Sequence, residues 1–472
     1  MFIGRKRELA DLNQRYENGK FEFAVIYGRR RVGKTTLINE FVKDKEVIFY
    51  TGIEGNEKEN LEGLSKSIYS ISEDFANASS SFASFQEALQ TAFKIAERRR
   101  IIFVIDEYPY IAGSYKALSS ILQILIDRNK DTSRMFLILC GSSLSFMENQ
   151  VLGYKSPLFG RRTCQYKIIP FNIFETKAYY NKFNSVDLAV IYGITGGIPL
   201  YMSFMNDNLS VEENIKANFL MPNAFLFEEP TNLIKQECRD PAQYNSIIKA
   251  IATGSSRMSE ICSKTGLDTG LATSYLNKLM ALGIVKKETP FKTTGSRKTI
   301  YALEDSMFRF WYRFIPDNLA IINRGLTDVV YQKIAPQISS FMGGVFEEIC
   351  KQYLWELNRQ RQAAISFTDL GRWWGNDPKN KCEAEIDIIG TADYNTVLLG
   401  ECKWTNESVD TSVLDTLAKR SKLFDFSNVY LYLFAKTGFT KGCSNKAKEL
   451  GNTALITYDE MMKISFKGVN ND

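Results

Sequence analysis

The stretch Gly28-Arg29-Arg30-Arg31-Val32-Gly33-Lys34-Thr35 limits this chain more than any other. It follows an apolar run, Phe23 to Tyr27, and precedes a segment, Thr36 to Lys43, that reads as a helix. Strand, glycine loop and helix in that order match G-x-x-x-x-G-K-[ST] at every specified position. The spacing has a chemical reason. Gly28 and Gly33 let the backbone turn its N–H groups inward on a polyphosphate. The loop from Gly28 through Thr36, with Arg29, Arg30, Arg31 and Val32 inside it, then lines the anion, and the following helix points its positive end at the same place. Lys34 reaches the β- and γ-phosphates of a nucleotide such as ATP, and Thr35 holds Mg²⁺. The arginine triplet is either solvated charge or a contact with a neighbouring domain or with DNA.

A strand that feeds such a loop belongs to a parallel α/β sheet, and the rest of the chain is long enough for more than that. Its 472 residues call for roughly three domains. Histidine is absent, which excludes Ser-His-Asp and Cys-His catalysis and His-ligated zinc. Chemistry must then run on carboxylates, lysine, arginine, hydroxyls and bound metal. The eight cysteines are scattered without a C-x-x-C pair and read as reduced thiols of a cytoplasmic protein. No run of apolar residues is long enough for a membrane span, and Met1 to Arg7 lacks the apolar core of a signal peptide. A net charge of +5 permits nucleic-acid binding without requiring it.

Downstream, Val47 to Tyr50 reads as a short buried strand, and residues 56–100 read as helical and polar. Ile101-Ile102-Phe103-Val104-Ile105-Asp106-Glu107 is an apolar run ending in two carboxylates. An all-apolar run suits a parallel strand buried on both faces, and its C-terminal end is where an α/β sheet places ligands. Asp106 would bind Mg²⁺ through water, and Glu107 would orient or deprotonate the attacking water. Met135 to Cys140 is a third apolar strand, ending in Gly141-Ser142-Ser143.

A second region begins near Pro241. Three helices (Tyr244–Ala252, Ser259–Thr265, Thr269–Leu282) precede two strands around Gly283–Lys287 and Lys298–Leu303, the form of a winged helix-turn-helix. The third helix places Leu271, Tyr275, Leu276 and Leu279 on one face and exposes Asn277 and Lys278. The hairpin carries Lys286, Lys287, Lys292, Arg297 and Lys298, residues suited to phosphate contacts. Such a module serves either DNA contact or packing and switching. The aromatic run Phe308 to Phe314 reads as the apolar seam of a helix rather than a base-stacking platform.

In the third region Val345 to Leu357 reads as a helix, Ala384 to Gly390 as a strand and Thr396 to Lys403 as the next. Asp387 on the first, with Glu401-Cys402-Lys403 on the second, has the form D…E-x-K. Glu401 and Lys403 share a face because side chains alternate along a strand. Two carboxylates suit a hard cation, a second Mg²⁺ or Mn²⁺, and Lys403 can hold or activate the attacking water. Glu347 on the preceding helix is a further ligand candidate, ahead of Glu348, Asp369 and Glu385. Helix, strand Val429–Phe434, helix and strand Ala454–Ile456 follow.

Two resemblances rest on these residues. The D…E-x-K pair with its following α/β order resembles the PD-(D/E)xK, restriction-endonuclease-like nucleases, although Ile386 stands where that motif has proline. The whole order, beginning with Phe2-Ile3-Gly4-Arg5, resembles archaeal-type ATPases of the AAA+/STAND-related group that carry a winged helix and such a nuclease domain. This resemblance implies that Ile3 and Gly4 lie against adenine, that Ser142 or Ser143 is a sensor near the γ-phosphate, and that Arg161 is an arginine finger, in cis or on a neighbouring subunit. It also places Pro199, in Gly197-Ile198-Pro199, near the nucleotide base. The expected fold is α/β: a P-loop core over 1–170, a helical lid over 171–240, a winged helix and linker over 241–334, and a nuclease-like domain over 335–472. The expected function is an ATP-hydrolysing, Mg²⁺-dependent switch coupled to DNA binding and to metal-dependent DNA cleavage. The alternative is a nucleotide-gated regulator whose nuclease-like domain binds DNA or protein without cutting. DNA is the expected partner, homo-oligomerisation through the ATPase domain stays open, and no membrane is involved.

Overall fold

The computed structural model describes residues 2–71, 81–293 and 298–464. Arg297 of the hairpin tip lies outside the described residues. The chain forms two compact units: Met1–Pro170 with Ile198–Leu200, and Phe171–Gly197 with Tyr201–Asp472.

The first unit is built on a five-stranded parallel sheet. Its strands are β1 (Glu22–Tyr27), β2 (Val47–Thr51), β3 (Ile101–Asp106), β4 (Met135–Gly141) and β5 (Cys164–Lys167), in the spatial order β2-β3-β4-β1-β5. Alternation along each strand splits the core in two. Phe23, Val25, Phe103, Ile105, Leu137 and Leu139 face one layer with the helix Phe85–Arg98. Ala24, Ile26, Ile102, Val104, Phe136 and Ile138 face the other with Leu37, Ile38 and Phe41 of the helix Lys34–Val42. Helices on both faces are why these strands read as unbroken apolar runs. The polar 56–100 region resolves into the helices Glu57–Tyr69 and Phe85–Arg98.

In the second unit, helices Pro241–Ala252, Met258–Thr265 and Thr269–Ala281 precede the antiparallel pair β6 (Val285–Glu288) and β7 (Ile300–Leu303). Ala272, Leu276 and Leu279 form the buried face of the third helix, with Asn277 and Lys278 exposed. Leu271, expected on the apolar face, is 50% exposed. It sits one position before Ala272, about 100° round the helix from the buried stripe. The aromatic run forms the helix Ser306–Phe314, whose Phe308, Phe310, Trp311, Tyr312 and Phe314 are buried. Phe310 meets Phe219, Phe314 and Phe341, so these rings are core.

The helix expected at Val345–Leu357 lies in the C-terminal half of a longer one, Thr327–Arg359, which passes through Pro336. A second five-stranded sheet follows, in the order β12-β11-β10-β9-β8. Its strands are β8 (Asp369–Asp377), β9 (Cys382–Thr391), β10 (Thr396–Lys403), β11 (Asn428–Ala435) and β12 (Thr453–Thr457). β8, β9 and β10 pair antiparallel; β10, β11 and β12 pair parallel. Among the described residues no helix is long and apolar enough to cross a membrane.

Candidate nucleotide site and acidic cluster

β4 lies between β1 and β3, so three strand ends converge: Gly28 after β1, Asp106-Glu107 at the end of β3, and Ser142 after β4. The loop between Gly28 and Lys34 is packed tightly. A Cβ on Gly28 would press on the Ile168 carbonyl after β5, 3.1 Å from its carbon and nearer its oxygen. Gly33 has φ +89°, and the space beside it ends at Pro199, whose Cγ lies 3.8 Å from where a Cβ would sit. The structure thus brings Pro199 to the loop.

Lys34 is buried, and its Nζ donates to the carbonyls of Gly28 and Arg29, both at 3.0 Å. Burial pulls its pKa below the ordinary lysine range, against the opposing charges of Glu107 and Asp106. Thr35 Oγ1 donates to Asp106 Oδ2 at 2.9 Å. One hydroxyl and one buried carboxylate at a helix N-terminus fit Mg²⁺, a cation that takes few protein oxygens and keeps waters and phosphate oxygens besides. Glu107 has φ 48° and its N–H donates to Asp106 Oδ1 at 2.9 Å. That turn aims the Glu107 carboxylate sideways, where Ser142 Oγ donates to it at 2.9 Å. Arg30 reaches the Tyr110 hydroxyl at 2.6 Å. Val32 is buried in the core, whereas Thr36 faces outward on the first helical turn. Ile3 and Gly4 are placed at the same sheet edge by Arg5, a buried side chain that donates to the Ile169 carbonyl just beyond β5.

Arg161 is the exception. Its guanidinium grips Asp127 through two bonds, Nε to Oδ1 at 2.9 Å and Nη2 to Oδ2 at 2.7 Å, and also donates to the Pro157 and Phe159 carbonyls. It lies three residues before the N-terminal end of β5, at the sheet edge away from the phosphate loop. An arginine finger in cis is therefore not what this side chain forms.

In the second unit Asp387, Glu401 and Lys403 come together on β9 and β10. Asp387 Oδ2 accepts the Cys402 N–H at 2.9 Å, and Lys403 Nζ donates to Glu401 Oε1 at 2.6 Å. Burial, then the charges of Glu401 and Glu347, push the Asp387 carboxyl up to about 7. Burial opposes the charge on Lys403, yet Glu401 holds its pKa above the ordinary value. Arg420 adds a second cation on Glu401, at 3.3 Å from Oε2. Glu347 is not free to join Asp387 and Glu401, because it pairs with Arg372 at 3.2 Å. Arg372 also holds Glu385 and lies 3.8 Å from Glu288. Among the described residues no three His, Cys, Asp or Glu are grouped to hold a metal ion. The expected ligand set of Glu347, Asp387 and Glu401 is thus reduced to the pair Asp387 and Glu401. Lys286, expected to contact phosphate, pairs with Glu288 at 2.6 Å and Glu348 at 3.8 Å.

A family described as an "ATPase domain predominantly from Archaea" matches residues 2–204, and one described as "Archaea bacterial proteins of unknown function" matches residues 311–414. An uncharacterised protein of Methanocaldococcus jannaschii is 32% identical over 467 residues, 98% of this chain and 100% of the relative. The chain belongs to this family of archaeal P-loop ATPases. An uncharacterised ATP-binding protein of the same organism is 45% identical to the ATPase over 47 residues, 10% of this chain and 80% of the relative. The structure of a Walker-type ATPase of Pyrococcus abyssi aligns at TM-score 0.50 and 18% identity, covering 66% of this chain and 96% of the other. That likeness concerns the fold alone.

Two residues of the acidic cluster escaped the sequence reading. Arg372 sits in the unrecognised strand β8. Arg420 reaches Glu401 from the helix Thr411–Arg420. Arg5 was legible as part of Phe2-Ile3-Gly4-Arg5, but its tie to Ile169 needs the fold.

Proposed function

We propose that the protein is an ATP-hydrolysing, Mg²⁺-dependent molecular switch whose output is nucleic acid. The observation that carries the reading is one sheet edge with two neighbouring pairs, Thr35–Asp106 and Ser142–Glu107. Thr35 and Asp106 would hold Mg²⁺, which when bound neutralises charge on the β- and γ-phosphates. Lys34 leaves its carbonyl partners for phosphate oxygens. Ser142 fixes one oxygen of Glu107, and the other orients a water on the γ-phosphorus and takes its proton as ADP leaves. Ile3, Gly4 and Pro199 border the base. The ATP and ADP states then populate two arrangements of the protein. A radiolabelled-ATP assay tests this: Lys34→Ala and Glu107→Gln should both lose turnover, and wild-type hydrolysis by both sinks the assignment.

For the output, residues 241–303 act as a winged helix that contacts DNA backbone through Lys278, Lys287 and Lys298. Residues 335–472 act as a restriction-endonuclease-like domain with Asp387, Glu401 and Lys403 at its centre. The functional segments are 1–170, 171–240, 241–334 and 335–472, in a cytoplasmic protein. A second reading, a regulator that binds DNA without cutting, is favoured by the saturation of Glu401 by Lys403 and Arg420 and of Glu347 by Arg372. Supercoiled DNA with Mg²⁺ or Mn²⁺ separates the two. Cleavage lost in Asp387→Ala supports the nuclease, whereas salt-sensitive binding without cleavage supports the regulator.

A further inference from the structure

Behind the ATPase sheet, at the N-terminal ends of β4, β1 and β5, lies a cleft of about 820 Å³. It is one full strand length from the phosphate loop, about 20 Å. Three loops meet there: Gly19–Phe21 before β1, Lys130–Arg134 before β4, and Gly160–Thr163 before β5. Each presents at least one cation, namely Lys20, Lys130, Arg134 and Arg162. Among the described residues these four side chains form no ion pair and no hydrogen bond, unlike Arg161, which is neutralised by Asp127. Asp131 is the one lining carboxylate left over.

The cations are not merely scattered on loose loops. Arg100 donates to the carbonyls of Lys20, Arg134 (2.9 Å) and Arg15 (3.3 Å). Its guanidinium stacks over Tyr16 at 5.0 Å and Phe136 at 5.6 Å. That one side chain ties the Lys20 loop to the Arg134 loop. Arg161 does the same for the third loop, clamping its backbone to Asp127 on the helix Leu118–Asn129. Two arginines, Arg100 and Arg161, thus fix the loops that carry these four cations. Holding like charges together costs free energy unless an anion offsets it.

We propose that this cleft binds the phosphodiester backbone of duplex nucleic acid. Lysine and arginine side chains are the donors that phosphate oxygens take, and they fix position without reading sequence. The proposal rests on the reading of nucleic acid as the output, but adds a contact surface on the ATPase unit itself.

The test is anisotropy of the full chain with a labelled 25-base-pair duplex over a salt series. Lys130→Glu with Arg134→Glu should weaken binding at least tenfold and lower the log–log salt slope by about 2, since each phosphate contact contributes about 0.9. Lys130→Arg with Arg134→Lys should restore wild-type binding, and ATP hydrolysis of the charge-reversed protein should match wild type, which rules out misfolding. Unchanged affinity and slope in the reversed protein, with weakening in Lys278→Glu, overturns the cleft and keeps the winged-helix contact. The opposite pattern keeps the cleft and removes that contact. A wild-type chain that ignores the duplex, or binds polyglutamate equally well, overturns the ligand class.

Discussion

Gly28→Ala and Gly33→Ala differ by one methyl group each, yet the surroundings of the two glycines predict different outcomes. At position 28 the methyl meets backbone, 3.1 Å from the Ile168 carbonyl carbon and closer to its oxygen. Carbon atoms prefer at least about 3.5 Å, so β1 and the Ile168 strand end must part by on the order of 1 Å. That parting strains the Ile168 N–H bond to the Tyr27 carbonyl, now 2.7 Å. Overpacking costs about 1–3 kcal/mol and a weakened buried hydrogen bond about 1 more. A total of about 3 kcal/mol lowers the melting temperature of a unit this size by roughly 6–12 °C. The loop that carries Lys34 moves with it, and a 1 Å misplacement costs about a hundredfold in turnover. At position 33 there is room, with Pro199 at 3.8 Å, and only φ +89° resists a side chain. That backbone penalty is about 1–2 kcal/mol, or roughly 2–8 °C. Differential scanning fluorimetry and a coupled ATPase assay on both variants measure this. A Gly28→Ala protein that melts and turns over like wild type, or a Gly33→Ala protein damaged more than it, refutes the reasoning.

Other outcomes follow from the same geometry. Glu107→Gln should still bind ATP in a fluorescent-nucleotide titration while kcat falls at least about a hundredfold, the usual contribution of a placed base; Ser142→Ala, which frees Glu107 to rotate, should cost about tenfold. Phe310→Ala removes a fully buried ring and should destabilise the second unit by about 3–5 kcal/mol, seen as a lower urea midpoint. Asp387 is held up to about 7 against an ordinary 3.8. Its neutral form is favoured on folding, so that contribution is complete below pH 4 and disappears as pH rises through about 7. Asp387→Asn should therefore gain melting temperature over wild type at pH 8 without divalent metal, with the gain shrinking toward pH 4; equal gains at both values would contradict the assignment.

Much of the first unit is legible in the residues. Phe23–Tyr27, Ile101–Asp106 and Met135–Gly141 are apolar because helices cover both faces, and the loop chemistry points to one sheet edge. Arg161 lies away from its own phosphate loop for a topological reason. β4 and β5 run parallel, so the chain leaving the sensor end must cross back to the opposite edge before β5 begins. A residue three places ahead of β5 has already made that crossing. Strand β8 was missed because Asp369-Leu370-Gly371-Arg372-Trp373-Trp374-Gly375-Asn376-Asp377 has the glycines and acids of a loop. It becomes a strand by pairing with β9 around a bulge at Gly371–Trp373. With β8 unseen, Arg372 had no position from which to claim Glu347. The pairing of Asp387 with Glu401 was legible because strand alternation and D…E-x-K spacing are local; their cationic partners are not.

The return of Ile198–Leu200 to the first unit bears on how the protein can be dissected. Cutting after Pro170 keeps every strand of the parallel sheet, and by secondary structure alone it looks like a clean boundary. Such a fragment loses Pro199, the side chain nearest to Gly33 across the phosphate loop. The nucleotide-binding module is discontinuous along the chain, and its shortest faithful version extends past Leu200, as the family match ending at 204 does. Affinities measured on anything shorter would describe a phosphate loop stripped of its Pro199 neighbour.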